Sequence, residues 1–484
     1  MTELHFPFLE LAIFVPLIGA LWVRQLKDPL AARRVCLLFT GAAFCFTFGA
    51  WQDFAFLGVR EADDKWRLLP DLLNGFEPFV IDRLSAPLLP LSALLYFLTT
   101  VTTLKTKVRR FSFAWTLVSE SILLATLSCK HPPLLIGLLI AGTIPPYWEL
   151  RARGKSTRVY LVHMTLFAVA LCSGWYIVER EGAVALHSWW GIVPLLIAVS
   201  IRSGAVPLHC WMTDLFENAT FGTALLFMVP NVGAYAALRL VLPLGSEVLL
   251  RSIGTVSLIT AVYAAGMAII QRDGRRFFCY LFLSHSSLVL VGLEVVRPLG
   301  LTGALCVWIA VTLSLGGFGL TLRALESRRG TLSLNEFQGL YDHTPALAVC
   351  FFLTGLASIG FPGTLGFVGG ELLVDGAVGI YPYIGVAVVF AAALNGIAFV
   401  KAYFLLFTGK VHSSTVSLAI GMRERLAVLA LTVLIVTGGM IPQWSVSSRY
   451  AAAKELLQSR PEELDDDPED DDDDHDEDDD KHDH

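Results

Sequence analysis

The feature that most limits what this 484-residue chain can become is a train of apolar stretches that follow one another from residue 6 to residue 443. Most are about 17–25 residues long, the length a helix needs to cross the roughly 30 Å hydrocarbon core of a bilayer. Only helices and closed barrels keep every backbone N–H and C=O paired there. The stretches are too long and too unalternating for barrel strands, so the sequence predicts an all-α, polytopic membrane protein. Spans are expected near 6–23, 35–54, 84–104, 112–129, 132–148, 159–178, 188–213, 221–242, 252–270, 277–295, 301–322, 345–378, 382–407 and 426–443, fourteen in all. Composition agrees: the chain is 55% hydrophobic and 16% charged, with a mean hydropathy of +0.61, which excludes a water-soluble enzyme.

The formal charge of −7 hides two different objects. Residues 461–484 hold 17 of the 43 Asp and Glu but one of the 36 Lys and Arg, so the rest of the chain carries +9. Residues 461–484 are mostly Asp, with three His and no aromatic residue, and residues 457–484 are expected to be a disordered, solvated acidic tail. Short cytoplasmic loops collect Lys and Arg, which tests the span count. With the N-terminus outside, 21 basic residues fall in cytoplasmic loops, among them Arg24, Lys105, Arg151, Arg275, Arg323 and Lys410. Eight fall in external ones: Arg60, Lys65, Arg67, Arg83, Lys130, Arg180, Arg251 and Arg297. The alternation predicts both termini outside an inner (cytoplasmic) membrane. The first apolar run has no small-residue cleavage site after it and reads as a retained span. Eight cysteines are scattered singly, so no metal ligand set or cofactor is expected, and nothing points to nucleic acid.

Two spans are interrupted in similar ways. In the seventh, Arg202 and Gly204 precede Pro207 and His209; in the twelfth, Gly360, Pro362 and Gly363 precede Glu371. A proline removes a backbone hydrogen bond, and freed carbonyls survive at membrane depth only where protein or a watery cavity covers them. Paired broken helices in the two halves of a polytopic protein mark an ion or substrate path. Ionisable groups inside spans usually pair or line such a path. The candidates are Arg202, His209, Arg239, His285, Glu371 and Lys401, with Glu120 in the fourth span. Each also has a structural reading: Arg239 and Lys401 lie toward span ends, where they can snorkel to the headgroups, and a lone histidine is often a hydrogen-bonded core residue.

Ser203-Gly-Ala-Val-Pro-Leu-His-Cys-Trp211, followed by Asp214 and Glu217-Asn-Ala219, resembles the VPLHxWLxDA segment of the antiporter-like membrane subunits of respiratory complex I and of Mrp-type cation/proton antiporters. Three further segments agree in the family's order. Phe79-Val-Ile-Asp82-Arg-Leu-Ser85 is similar to the start of its third helix. Asp273-Gly-Arg-Arg276 through Ser284-His285 resembles its DLKRxxAYSSISH stretch. Leu356 to Gly363 with Gly366 to Glu371 resembles GLPxxxGFxGE. Together they span roughly residues 79–408.

The resemblance implies fourteen core helices with the seventh and twelfth broken, and three N-terminal spans over 1–111. It also implies a core over 112–408 of two inverted five-helix repeats, roughly 112–243 and 252–408, and a last span within 409–456. It implies a proton path along buried Lys, Glu and His, and partners in the form of the lipid bilayer, other membrane subunits and H+ or Na+. Redox chemistry belongs to other polypeptides in this family. Arg202 stands where the family has its central lysine and Asn231 where it has the eighth-helix lysine. Ile140 replaces the fifth-helix glutamate, and Val311 falls where a histidine often lies. Arginine keeps its proton at any accessible pH and cannot relay one, so the first half-channel is expected to be disabled while His285, Glu371 and Lys401 remain.

Three readings follow: a proton- or ion-translocating subunit of a complex I-like or Mrp-like assembly, which could serve an NADH:quinone oxidoreductase-type translocase without catalytic chemistry of its own; the membrane partner of an inorganic-carbon uptake complex; or a largely structural subunit.

Overall fold

A computed structural model describes residues 2–64, 77–104, 108, 111–182, 187–409 and 421–460. The acidic tail from 461 onward, and the loop residues Lys65, Arg67, Lys105, Lys107, Arg109, Arg110 and Lys410, lie outside the described residues. Among those described, nine helices are long and apolar enough to cross a membrane, or up to ten if a bent pair counts as one span. Four shorter apolar helices accompany them.

The chain opens with β1 (Thr2–Leu4), α1 (Phe8–Gln25) and α2 (Pro29–Leu57). It continues through β2 (Glu61–Asp64), β3 (Ile81–Asp82), α3 (Ser85–Val101) and α4 (Phe113–Ser128). The three strands form one small sheet, β1 parallel to β2 with Thr2 opposite Ala62, and β2 antiparallel to β3 with Glu61 opposite Asp82. The sheet serves as a capping block. Asp64 accepts hydrogen bonds from the N–H groups of Leu9 (3.1 Å) and Glu10 (2.7 Å), orphan donors in the first turn of α1. Asp82 accepts from the Ser85 N–H and hydroxyl, both at 2.9 Å, and starts α3. The Asp82 and Ser85 of the sequence motif thus form a helix cap.

Next come α5 (Pro132–Ala141), α6 (Ile144–Ala152), α7 (Arg158–Glu181), α8 (Trp189–Ser203), α9 (Cys210–Asn218), α10 (Phe221–Met228) and α11 (Val232–Ala236), the last continued by a π-helical turn over Ala237–Val241. Beyond them lie α12 (Glu247–Ile270), α13 (Gly274–Val295), α14 (Pro298–Arg329), α15 (Pro345–Ser358), α16 (Leu365–Val378), α17 (Pro382–Phe407), α18 (Met422–Met440) and α19 (Pro442–Gln458). Helices α13 and α14 form the centre, buried over nearly their whole length. Peripheral helices present apolar side chains outward, such as Leu161, Val162 and Val169 on α7 and Val386, Phe390 and Ile397 on α17. Contiguous apolar faces of this kind suit lipid or neighbouring subunits, not water.

Three sequence expectations change. The eighth span is present over Phe221–Val241 but carries an unexpected interruption: α10 stops at Met228, and Asn231 takes a left-handed conformation (φ 50°) before α11 begins. Arg323, assigned above to a cytoplasmic loop, lies within α14 and donates to the Thr99 carbonyl (2.7 Å) and the Thr103 hydroxyl (2.8 Å). After α18 the chain bends by 81° into α19, whose buried Arg449 donates to the Arg83 (2.6 Å) and Leu84 (3.3 Å) carbonyls ahead of α3.

Candidate functional site

Both expected interruptions are present and are built the same way. Helix α8 ends at Gly204 (φ 74°), with the Ala205 N–H bonded back to the Ser200 carbonyl (2.8 Å) and the Gly204 N–H to Ile201 (3.1 Å). Helix α15 is followed by Gly360 (φ 75°), with Phe361 N–H bonded to Leu356 (3.1 Å) and Gly360 N–H to Ala357 (3.4 Å). Each is a left-handed cap in which a six-to-one hydrogen bond ties off the helix. Glycine supplies the positive φ, and at Gly204 a Cβ would also fall 1.9 Å from the Met212 sulfur. Pro207 lies in the 204–209 connection, and Pro362 and Gly363 (φ 89°) in the 359–364 connection.

What fills the two breaks differs. At the first, the buried Arg202 donates to the Phe227 carbonyl (3.1 Å), in the last turn of α10. Its guanidinium lies 4.0 Å from the Phe227 ring centroid and 5.8 Å from that of Trp211. Trp211 in turn donates to the Ile201 carbonyl (2.8 Å) and Trp308 to Pro230 (3.2 Å), while the Thr312 hydroxyl bonds back to the Trp308 carbonyl (2.9 Å), 3.4 Å from the Val229 carbonyl. The carbonyls exposed by two neighbouring helix ends are therefore covered by protein, and Arg202 is one of the covers. The cavity that Arg202 lines measures about 30 Å³, room for one or two waters, with Tyr96, Ser119 and Val232 among its walls and no carboxylate. Tyr96 and Ser119 hydrogen-bond each other at 2.8 Å. Glu120, next in sequence, is fully buried with neither oxygen paired, but is not among those walls.

At the second break a cavity of about 210 Å³ lies between α13, α14, α15, α16 and α17. His285, Glu371, Asn395, Ser314, Ser358 and Gly360 line it. His285 is buried and its Nε2 has no partner; the Asn395 amide donates to the Ser284 hydroxyl (2.8 Å) and leaves Oδ1 unpaired. Glu371 is exposed at the surface of the chain, as are the neighbouring lining residues Phe367 and Val389. A titratable carboxyl at the edge and an imidazole within thus share one space large enough for several waters.

Of the six expected pathway residues, His285 and Glu371 are the two brought together. His209 is buried against the Tyr263 and Tyr280 rings, at 5.5 and 6.0 Å. Asn231 answers the need for a left-handed residue, which asparagine tolerates. Lys401 is exposed and donates to the Ile269 carbonyl (2.8 Å) at the end of α12, outside the cavity. Sequence reasoning passed over Asn395 and Glu294, although a polar residue within an apolar span is itself a signal. Buried Glu294 accepts from the hydroxyls of Thr255 (3.1 Å) and Tyr383. Arg239, by contrast, pairs with Asp82 at 2.7 Å, where Lys130 also lies at 3.0 Å. Burial alone would raise the Asp82 carboxyl; the two cations beside it outweigh that and hold it below the usual carboxylate range.

Comparison with known proteins places this architecture. Residues 160–395 match the family described as NADH:quinone oxidoreductase/Mrp antiporter, TM. NADH-quinone oxidoreductase subunit N 2 of Aquifex aeolicus is 27% identical over 260 residues, 52% of this chain and 53% of that protein. Subunit M of Pseudomonas aeruginosa is 30% identical over 264 residues, 53% of this chain and 51% of that one. The chain spans about half the length of the curated relatives it matches. A chain of respiratory complex I from Thermus thermophilus shares the fold with a TM-score of 0.79 at 22% identity, covering 93% of this chain and 99% of that chain. A chain of the Mrp complex from Dietzia sp. does so with a TM-score of 0.80 at 18% identity, covering 93% and 98%. Residues 160–395, just under half of the chain, thus carry the match to the NADH:quinone oxidoreductase/Mrp antiporter family, and the chain shares its fold with chains of respiratory complex I and of the Mrp complex.

Proposed function

We propose that this chain is a proton-translocating membrane subunit of a complex I-like or Mrp-like assembly, and that its proton path runs through the cavity at the second break. The observation that carries this reading is the shared space of His285 and Glu371 beside a helix end tied off at Gly360. A carboxyl at the surface of the chain can exchange protons with a polar group of a neighbouring subunit, and a buried imidazole can accept one through water. In the first half Arg202 covers a carbonyl and holds its charge, so that half is a joint and not a relay. The matching caps at Gly204 and Gly360 support a repeated arrangement of the two halves, and the alternation of basic residues along the sequence supports fourteen spans with both termini external. The relatives' names support partners among the membrane subunits of such complexes.

The test is proton flux in vesicles reconstituted with the chain in its native complex. Glu371→Gln should lower flux at least about tenfold, equivalent to about 1.4 kcal/mol, with assembly and thermal stability unchanged. Unchanged flux removes Glu371 from the path. A second reading, a subunit that holds its neighbours without conducting, is favoured by the protein-filled first break and predicts no flux change from either half.

A further inference from the structure

A second large cavity, of about 620 Å³, lies away from both helix breaks, at the end of the bundle where α2, α3 and α18 meet. Three arginines line it, Arg33 and Arg34 on α2 and Arg423 on α18, over a floor of Leu30, Leu37, Phe97 and Val101. Arg33 is buried, 7% exposed; its Nη2 donates to the Val101 carbonyl at 2.9 Å and its Nε has no partner. Arg34 and Arg423 are exposed, and no ion pair joins any of the three to a carboxylate among the described residues.

Three like charges around one hollow repel each other unless something negative sits between them. The nearest acids in sequence are committed elsewhere. Asp28 caps its own helix, accepting from the N–H groups of Leu30 (3.0 Å) and Ala31 (3.1 Å). Glu424 is engaged by Arg328 at 2.9 and 2.5 Å and by the Gly421 N–H at 3.0 Å. Among the described residues no carboxylate is left to supply the missing anion. The cavity combines a cationic rim with an apolar floor at the end of membrane-spanning helices, which fits a molecule with one phosphate and a hydrocarbon tail.

We infer that this cavity binds an anionic glycerophospholipid, its phosphodiester held by Arg33, Arg34 and Arg423 and an acyl chain laid along Leu30, Leu37, Phe97 and Val101. Basic hollows between membrane helices suit such headgroups, and a guanidinium can meet phosphate oxygens with two parallel hydrogen bonds. The site is independent of the proton path and needs no titration. It would fix α18 against α2 and α3 by a bridge that the chain's own side chains do not supply.

The experiment is native mass spectrometry of the purified full chain, delipidated and then titrated with phosphatidylglycerol or phosphatidylcholine. Phosphatidylglycerol should be retained in preference, and each exposed arginine removed should weaken it roughly fivefold, about 25-fold for Arg34→Gln with Arg423→Gln. These two side chains are exposed, so the variants fold even if Arg33→Gln does not. Equal retention of the two lipids, or equal retention by wild type and double variant, overturns the proposal. So does displacement of the lipid by millimolar inorganic phosphate, which would mark a simple anion site. Cross-linking of Arg423 to a carboxylate of a neighbouring subunit in the intact complex, with no lipid co-purifying, overturns it in favour of a protein partner.

Discussion

The two helix breaks use one backbone device and make opposite use of it. Each ends a helix with a left-handed glycine and a six-to-one hydrogen bond, at Gly204 and at Gly360. Around the first, Arg202, Trp211 and Trp308 spend donors on loose carbonyls, Ser203 Oγ and Asn231 Nδ2 stay unpaired, and about 30 Å³ is left. Around the second, Ser358 bonds back into its own helix, while His285 and Asn395 keep unpaired atoms beside a space of about 210 Å³. A break in a membrane helix thus does not by itself make a path. Both breaks leave buried polar atoms unpaired, so what separates them is whether the packing also leaves room for water.

The sharpest way to break this contrast is to disturb a charge on the first-half side that the fold has already paired. Asp82→Asn leaves Arg239, and in part Lys130, without a counter-charge in a buried setting. Loss of one member of a buried ion pair costs about 3–5 kcal/mol, and partial exposure of Lys130 moves the expectation toward the lower figure. Thermal unfolding in detergent should show it. The sign of the pH effect follows from the depressed Asp82 carboxyl. Its stabilisation is complete above the unfolded-chain value of about 3.9 and fades as pH falls through the lower folded value, so it contributes no change between pH 8 and 5.

The second half should respond in flux and not in stability. His285→Gln keeps a polar side chain but removes the titratable ring, and flux through reconstituted vesicles should fall at least about tenfold, in step with Glu371→Gln. A fall in the melting temperature without a change in flux would reduce His285 to a core residue. Arg202→Lys is the counterpart in the first half. It should give no gain in flux, because the cavity has no carboxylate to tune a lysine, and it should cost about 1 kcal/mol through the weaker contact with Phe227. A gain in flux would show that the first half lacks only a titratable group, and the contrast between the halves would dissolve.

Much of this was legible in the sequence because its causes are local. Pro207 and Pro362 cannot continue a helix, and glycine just ahead of each supplies the turn, so both breaks could be placed within a few residues. The third interruption was equally local: Pro230-Asn231 carried the signal, but the surrounding apolar run masked it. The arginines were harder. Arg202 and Arg323 look alike in sequence, each near the end of an apolar run. Which carbonyls they cap depends on Phe227 and Thr99, and for Arg323 the partner is more than two hundred residues away. No pattern of period 3.6 encodes that. The cavity was half legible, since His285 and Glu371 stand out as charges in spans while Asn395 is neutral and easily passed over. Its volume depends on how five helices pack.

Lys401 offers the smallest and most discriminating change. By sequence it belongs with His285 and Glu371; in the structure its ammonium sits on the Ile269 carbonyl, where it meets the negative end of α12. A cation at an exposed helix C-terminus is worth about 0.3–1 kcal/mol, and Lys401→Gln keeps a donor while removing the charge. The melting temperature should therefore shift only slightly, and proton flux should match the wild type. If flux instead falls as far as in Glu371→Gln, the path extends beyond the cavity along α17, and the boundary between a conducting second half and a sealed first half must be redrawn to include the surface of that helix.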